Sequence, residues 1–181
     1  MTGADPNPKE LGERFLKSLD KVQVGAVASK LIAASIGDMV VVLSRSPAHK
    51  HCFVADIEWM VLPPVFAGQF HIVEAAHKEG GFRAPSAIVT WAFVSKEIDA
   101  RLREAAGQRV RLRPDEWKSG DIGWLIEAVG DGKGLDTALQ WLKAGPFKER
   151  PLNLVTKDKQ GSPVASTLET LMADRAGSTA A

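Results

Sequence analysis

The sequence holds very little cysteine, and this scarcity limits the chemistry open to it. Cys52 is the single cysteine among 181 residues, so the chain has no internal disulfide and no cysteine-based metal cluster. His49 and His51 have no third ligand at metal spacing, so we predict neither a metal site nor a bound cofactor. A lone cysteine fits a reducing compartment, and residues 1–8 lack the features of a secretory signal, so we expect a cytoplasmic protein.

Three further absences narrow the function classes. The formal net charge is only +1 and the composition is that of an ordinary globular protein, so we expect no nucleic-acid partner. The longest apolar stretches, such as residues 39–43 and 84–92, are far shorter than the roughly 20 residues of a membrane helix. We therefore expect no membrane span. Neither a Gly-x-Gly-x-x-Gly turn after a strand nor a Walker-type lysine loop occurs, which disfavours dinucleotide binding and P-loop phosphoryl transfer.

What is present is an alternation of helical and strand-like segments. Apolar residues recur at helical spacing in some segments and alternate in others. These patterns predict helices over 9–35 (one or two), 47–60, 95–106, 135–144 and 166–175, and strands over 69–75, 85–93, 124–129 and 152–157. Two of the strands flank Gly80-Gly81, which predicts a hairpin. The fold class that follows is α/β, an α+β sandwich with a mainly antiparallel central sheet flanked by helices.

The length suits one main domain. We predict an N-terminal helical extension over 1–35, a main domain over 36–175 and a disordered tail over 176–181, where small residues dominate. We find no internal repeat.

The segment Ser46-Pro47-Ala48-His49 contains the first candidate for catalysis. Ser46 is a good N-cap and Pro47 is favoured at the first helical position, so a helix is predicted from Pro47 to about Met60, where Pro63-Pro64 would stop it. His49 would then lie in the first turn, where the helix dipole disfavours an imidazolium. A neutral imidazole can act as a general base. The alternative is a solvated histidine on a surface helix.

Two other side chains need an explanation. Glu127 lies in the predicted buried strand 124–129, so its carboxylate either faces solvent or pairs with a cation or a histidine. Cys52 follows His49 by three residues and is either a nucleophilic thiol or a small buried side chain.

The stretch from Arg109 to Arg113 is the one clear basic stripe. Arg109, Arg111 and Arg113 alternate with apolar residues, so an extended backbone would project all three from one face. Such a stripe is either a charged edge strand that resists aggregation or a docking site for an acidic partner.

Several motifs occur in a fixed order over residues 36–129: Ser46-Pro47-Ala48-His49, Leu62-Pro63-Pro64, Gly68-Gln69-Phe70, Thr90-Trp91-Ala92, Ser95, and Trp117-Lys118-Ser119-Gly120-Asp121 leading to Trp124-Leu125-Ile126. This series resembles the RTX toxin-activating lysine acyltransferases, the hemolysin-activating family. The resemblance implies a fold like that of the GCN5-related N-acetyltransferases. It also implies a homodimer that moves a fatty acyl group from acyl carrier protein, as donor, to lysine side chains of an RTX protoxin or similar acceptor.

The resemblance assigns roles residue by residue. His49 matches the family's catalytic histidine, and Glu127 falls where the family has an essential aspartate. Asp121 matches an aspartate of the turn, for which we favour a capping role, and Ser46 and Cys52 are candidate supporting residues. In the implied mechanism Glu127 orients His49, which takes a proton from the acceptor amine as it attacks the thioester. Transfer through an acyl group on His49 or Cys52 stays open, and the stripe of Arg109, Arg111 and Arg113 would dock acyl carrier protein.

The sequence departs from the family at three places. Lys50 stands where arginine is usual, Met60 where asparagine is common, and Gly130-Asp131-Gly132 where Ala-Pro-Phe-Gly is usual. The last change could reshape the acyl pocket or the acceptor site.

Two other functions remain open at this point. One is a catalytically silent module that binds acyl carrier protein or a protoxin-like partner. The other is a GCN5-type acetyltransferase that uses acetyl-CoA, against which the missing Gln/Arg-x-x-Gly-x-Gly pyrophosphate loop counts.

Overall fold

The structure, a computed structural model, describes residues 21–76 and 83–179, with side chains up to residue 175. The chain divides into two compact units, Met1–Ser35 and Ile36–Ala181. Part of the predicted N-terminal extension (residues 1–20), the Gly80-Gly81 turn and residues 180–181 of the predicted tail lie outside the described residues.

Helix α1 spans Lys21–Arg45 and bridges the boundary between the units. It is long and apolar enough to cross a membrane, although a core helix of a soluble protein and a signal sequence meet the same two criteria. The expectation that no segment reaches membrane-helix length is therefore wrong on those criteria. The reason is that single polar residues interrupt each apolar run of this helix without making its average polar.

The segment after α1 differs from the prediction. Residues 46–52 form a turn rather than the start of a helix over 47–60. A 3₁₀ turn (Val54–Asp56) and helix α2 (Ile57–Met60) follow, and the Pro63-Pro64 pair opens helix α3 (Leu62–Ala67) instead of stopping a helix. Proline fits the first turn of a helix, where its missing N–H is harmless. Gly68 ends α3 in the left-handed conformation at φ 66°.

Five strands form one sheet in the order β1-β2-β3-β4-β5. The remaining elements are β1 (Phe70–Ala76), β2 (Arg83–Val94), α4 (Lys96–Glu104), a 3₁₀ turn (Pro114–Trp117), β3 (Ile122–Gly130), α5 (Gly132–Ala144), β4 (Leu152–Lys157), β5 (Pro163–Thr167) and α6 (Leu168–Thr179). The pairs β1–β2, β2–β3 and β4–β5 are antiparallel, and β3–β4 is parallel. Helix α6 extends to Thr179, into the segment predicted as a tail.

The core lies on both faces of the sheet, because β2 and β3 are buried from both sides. On one face Val89 and Trp91 pack with Leu139 and Leu142 of α5 and with Phe147. On the other face the buried side chains are Ala92, Val94, Ile98, Leu102, Leu112, Trp117 and Trp124. This two-sided burial explains why both strands are mostly apolar in sequence rather than strictly alternating.

The predicted fold class is confirmed as a mixed α/β structure with a five-stranded, mainly antiparallel sheet and flanking helices. The hairpin of β1 and β2 is also confirmed. The likeness to GCN5-related acetyltransferases stays a prediction.

Glu116, in the second 3₁₀ turn, is a buried carboxylate that links this turn to α4. Its oxygens accept hydrogen bonds from Arg101 Nη1 and Nη2 at 3.0 and 2.7 Å, and one also accepts from the Arg113 backbone N–H at 2.8 Å. The hydrogen bonds from Arg101 hold the pKa of Glu116 below its usual range. The stability that this carboxylate contributes is therefore present near neutral pH and is lost as the pH falls through its lowered pKa.

Replacing Glu116 with glutamine is expected to lower the free energy of unfolding at pH 7 by about 1–3 kcal/mol, because the buried network loses its negative charge and one of its two acceptor oxygens. The difference from the unchanged protein should shrink as the pH drops below 4.5, the ordinary pKa of a glutamate. Urea unfolding of both proteins at pH 7 and at a pH below 4.5 measures this difference. Asp115→Asn, at an exposed neighbour, is the control and should change little.

Candidate active site

His49 lies in the turn that follows α1 and is 8% exposed. The turn is closed by backbone hydrogen bonds, since the N–H groups of His49 and Lys50 both donate to Ser46 O, at 3.0 and 2.9 Å. His49 thus follows the carboxyl end of a helix, and the argument from a helix amino terminus is wrong. The hydrogen-bonding environment of the imidazole is instead set by two side chains, those of Ser46 and Glu127.

Glu127 approaches His49 from strand β3. A β-bulge precedes it, because Thr90 of β2 pairs with Glu127 whereas Trp91 pairs with Leu125, so Ile126 is the extra residue. Bulges bend a strand and redirect its side chains, and they are frequent beside active sites. The Glu127 side chain is 20% exposed and its Oε2 lies 3.3 Å from Nε2 of His49. Of the two alternatives for Glu127, the structure shows pairing with a histidine.

The two polar neighbours of His49 lie on its two ring nitrogens. Ser46 Oγ is 3.0 Å from Nδ1, and the Glu127 carboxylate is 3.3 Å from Nε2 without the alignment of a hydrogen bond. An ionised carboxylate only accepts, so the contact at Nε2 is favourable when this nitrogen bears the hydrogen. Nδ1 is then the acceptor, and the Ser46 hydroxyl donates to it. In this state the basic lone pair of His49 is on Nδ1.

Two cavities meet at His49. The serine-side cavity, about 620 Å³, is lined by Val42, Ser46, Ala84, Val129 and Leu135 among others. The glutamate-side cavity, about 450 Å³, is lined by residues that include Trp59, Met60, Arg109, Glu127 and Leu154. His49 and Ala128 line both cavities. Both volumes fall in the range of small-molecule sites.

The glutamate-side cavity arises where β3 and β4 separate. The two strands pair only at Gly123–Leu152 and Trp124–Asn153, so beyond Trp124 the edge of β3 is open. This parting exposes the Glu127 region of β3 to the cavity.

The basic stripe keeps the predicted alternation but is not part of the sheet. Arg109, Arg111 and Arg113 are exposed and Leu112 is buried, yet the segment pairs with no strand among the described residues, so the edge-strand interpretation is wrong. Arg111 pairs with Asp56 at 3.1 Å, and Arg113 lies 3.2 Å from Glu116. Arg109 has no carboxylate within salt-bridge distance among the described residues.

Trp59 is a part of the site that sequence reasoning missed. The guanidinium carbons of Arg109 and Arg111 lie 5.8 and 4.3 Å from its ring centre, and its indole N–H donates to Asp56 at 2.9 Å. That hydrogen bond, together with the Phe53 backbone N–H and the two arginines, holds the pKa of Asp56 below its usual range. No periodicity in the sequence indicates this stack, because its members are about 50 residues apart.

Two candidate supporting residues make no side-chain hydrogen bond with the His49 ring, although the Cys52 backbone N–H donates to His49 O at 2.9 Å. Asp121 is exposed at the start of β3, six residues before Glu127, or about 20 Å along an extended strand. It makes no side-chain hydrogen bond with a described residue, so the capping role is not seen either. Cys52 is half-buried, and its thiol lies 3.8 Å from Arg109 Nη1.

Comparisons with known proteins point to one family. The profile of the RTX toxin acyltransferase family, HlyC, matches residues 30–169. The chain is also 29% identical over 98 residues to a protein named lysine-acyltransferase RtxC from Vibrio cholerae serotype O1, a match that covers 54% of this chain and 59% of that protein. The chain thus spans about three fifths of the length of this curated relative. Because the family profile covers most of the sequence, the chain belongs to the RTX toxin acyltransferase family.

Proposed function

We propose that this protein is a cytoplasmic lysine acyltransferase that transfers a fatty acyl group from acyl carrier protein to lysine side chains of an RTX protoxin or similar acceptor. The observation that supports the proposal best is the contact series Ser46–His49–Glu127 at the meeting point of two cavities. Such a buried, oriented histidine is what general-base catalysis requires. The relative RtxC is named a lysine-acyltransferase, which agrees with this activity.

In the proposed mechanism His49 is the general base. Glu127 holds the hydrogen on Nε2, so Nδ1 accepts a proton from the acceptor amine, which replaces the Ser46 hydroxyl there. The amine nitrogen attacks the thioester carbonyl carbon. A C–N bond forms and the C–S bond breaks. The carrier sulfur takes the proton from His49 and leaves as a free thiol. The Glu127 carboxylate stabilises the imidazolium between the two proton transfers.

The donor proposal rests on charge. Arg109 is exposed at the glutamate-side cavity and is the arginine of the stripe that forms no salt bridge with a carboxylate of the described residues. Acyl carrier protein presents an acidic surface, and complementary charge accelerates encounter. Arg111 and Arg113 are already engaged by carboxylates, so Arg109 carries the docking role proposed for the stripe.

The donor proposal is tested by comparing acyl-carrier-protein and acyl-CoA donors of one chain length, with release of free thiol as the readout. Acyl carrier protein should support transfer and acyl-CoA should not. Arg109→Glu should lower kcat/KM at low salt by about tenfold, and added salt should shrink the difference. The exposed Lys159→Glu is the control and should keep the rate. Equal rates with acyl-CoA would argue for the acetyltransferase alternative.

Direct transfer is proposed rather than transfer through Cys52, because the thiol contacts Arg109 and makes no hydrogen bond with His49. Cys52→Ala should therefore retain acyl transfer. A mass increase on the enzyme that disappears in Cys52→Ala, together with loss of transfer, would indicate an acyl-cysteine intermediate.

A catalytically silent binding module is the second candidate. The paired His49 and Glu127 count against it, since binding alone needs neither. Stable binding of acyl carrier protein without transfer from any donor would favour it.

A further inference from the structure

We propose that the serine-side cavity holds the fatty acyl chain of the donor and sets the chain length that the protein accepts. The inference rests on the proposed function and adds a location for the substrate.

The location follows from the two nitrogens of His49. Because Glu127 occupies Nε2, the basic lone pair is on Nδ1, which faces Ser46. The thioester carbonyl reacts next to this nitrogen. Ser46 lines the serine-side cavity and not the glutamate-side one. The acyl chain that follows the carbonyl therefore lies next to the serine-side cavity.

The lining suits a hydrocarbon chain. The charged side chains that line the serine-side cavity are Arg45 and Asp131, and both are exposed and already hydrogen-bonded. Arg45 donates to Pro85 O at 3.2 Å, and Asp131 accepts from the Gly134 N–H at 2.7 Å as the N-cap of α5. The other lining side chains are small or apolar. The glutamate-side cavity instead contains the Glu127 carboxylate, which would lose hydration beside a hydrocarbon.

The cavity also has the length for a long chain. It extends from Ala128, which pairs with Val89 of β2, to Ala84 near the start of β2. The five residue-to-residue steps from Ala84 to Val89 span about 16 Å. An extended hydrocarbon advances by about 1.3 Å per carbon, given a C–C bond of about 1.52 Å, so on the order of a dozen carbons fit. Ala75 and Ala84, which pair across the hairpin, lie at the far end.

The test uses calorimetric binding of hydrolysis-resistant acyl-pantetheine thioethers with chains of four to sixteen carbons, so its readout does not depend on turnover. With the unchanged protein, affinity should rise by about fourfold per methylene and level off near twelve carbons. Ala84→Phe and Ala75→Phe should move this limit to shorter chains. Each should weaken binding of the dodecyl compound by about tenfold or more while leaving the hexyl compound unchanged.

The control is Val155→Phe, which places the same aromatic ring in the glutamate-side cavity and should keep the original chain-length profile. An unchanged profile in both alanine variants would overturn the proposal, as would no measurable binding of any chain. A shift caused by Val155→Phe instead would place the chain in the other cavity. A protein that binds with the expected profile but transfers nothing would support the pocket and contradict the proposed function.

Discussion

Replacement of His49 with alanine is expected to lower the rate of acyl transfer by about 10²–10⁴-fold, the usual contribution of a general base. The variant removes the group that takes the amine proton, and it leaves the cavities on both sides of the ring in place. Transfer at saturating donor is measured with a lysine-bearing acceptor, so that loss of kcat is separated from loss of donor binding.

The His49 variant should remain folded. Its ring has two side-chain polar contacts, one of which lacks hydrogen-bond alignment, so its removal costs the fold little. The matched control is His51→Ala, at an exposed position two residues away, which should keep full activity. If His49→Ala retained near-normal kcat with a normal melting temperature, the general-base role would be wrong.

Replacement of Glu127 with glutamine is expected to lower kcat by about 100-fold or more. The amide has nearly the size of the carboxylate, so packing is preserved, but its N–H group favours a lone pair on Nε2 of His49. The hydrogen then moves to Nδ1, the nitrogen that must accept the proton, and the imidazolium loses its counter-charge.

Glu127→Asp separates charge from geometry. It keeps the negative charge and matches the aspartate that the family resemblance implies, so its kcat should lie well above that of Glu127→Gln. Glu149→Gln, at an exposed site, is the control for removal of one charge. Equal activity of the glutamine variant and the unchanged protein would contradict the role of Glu127.

The sheet could be predicted from the sequence because its strands carry strong local signals. β2 and β3 are buried on both faces and are therefore mostly apolar in sequence, while β1 lies next to β2 in the chain and pairs with it. Such patterns depend on nearby residues alone, so β1 to β4 are predicted, whereas the short strand β5 is not.

The segment around His49 could not be predicted, because its local signals fit two structures. Ser46-Pro47 has the composition of a helix start, but proline also follows the last turn of a helix that it cannot continue. Since α1 runs to Arg45, the second outcome applies, and the Ser46 N–H closes the last turn on Leu43 O at 3.0 Å.

The long-range contacts of the site are invisible to pattern analysis. His49 and Glu127 are 78 residues apart in sequence, and their contact depends on the bulge in β3 as well as on the turn after α1. Periodicity predicted the strand but not its bulge, and only the family resemblance suggested that the two residues act together.

The central claim is that His49 catalyses transfer of a fatty acyl group to lysine. Its most direct test is the intact mass of a lysine-bearing RTX acceptor after incubation with this protein and a panel of acyl-loaded carrier proteins, alongside His49→Ala and His51→Ala. We predict a mass increase of one acyl group per modified lysine, lost with His49→Ala and kept with His51→Ala. An acceptor mass unchanged with every donor, or an equal increase with His49→Ala, would contradict the claim.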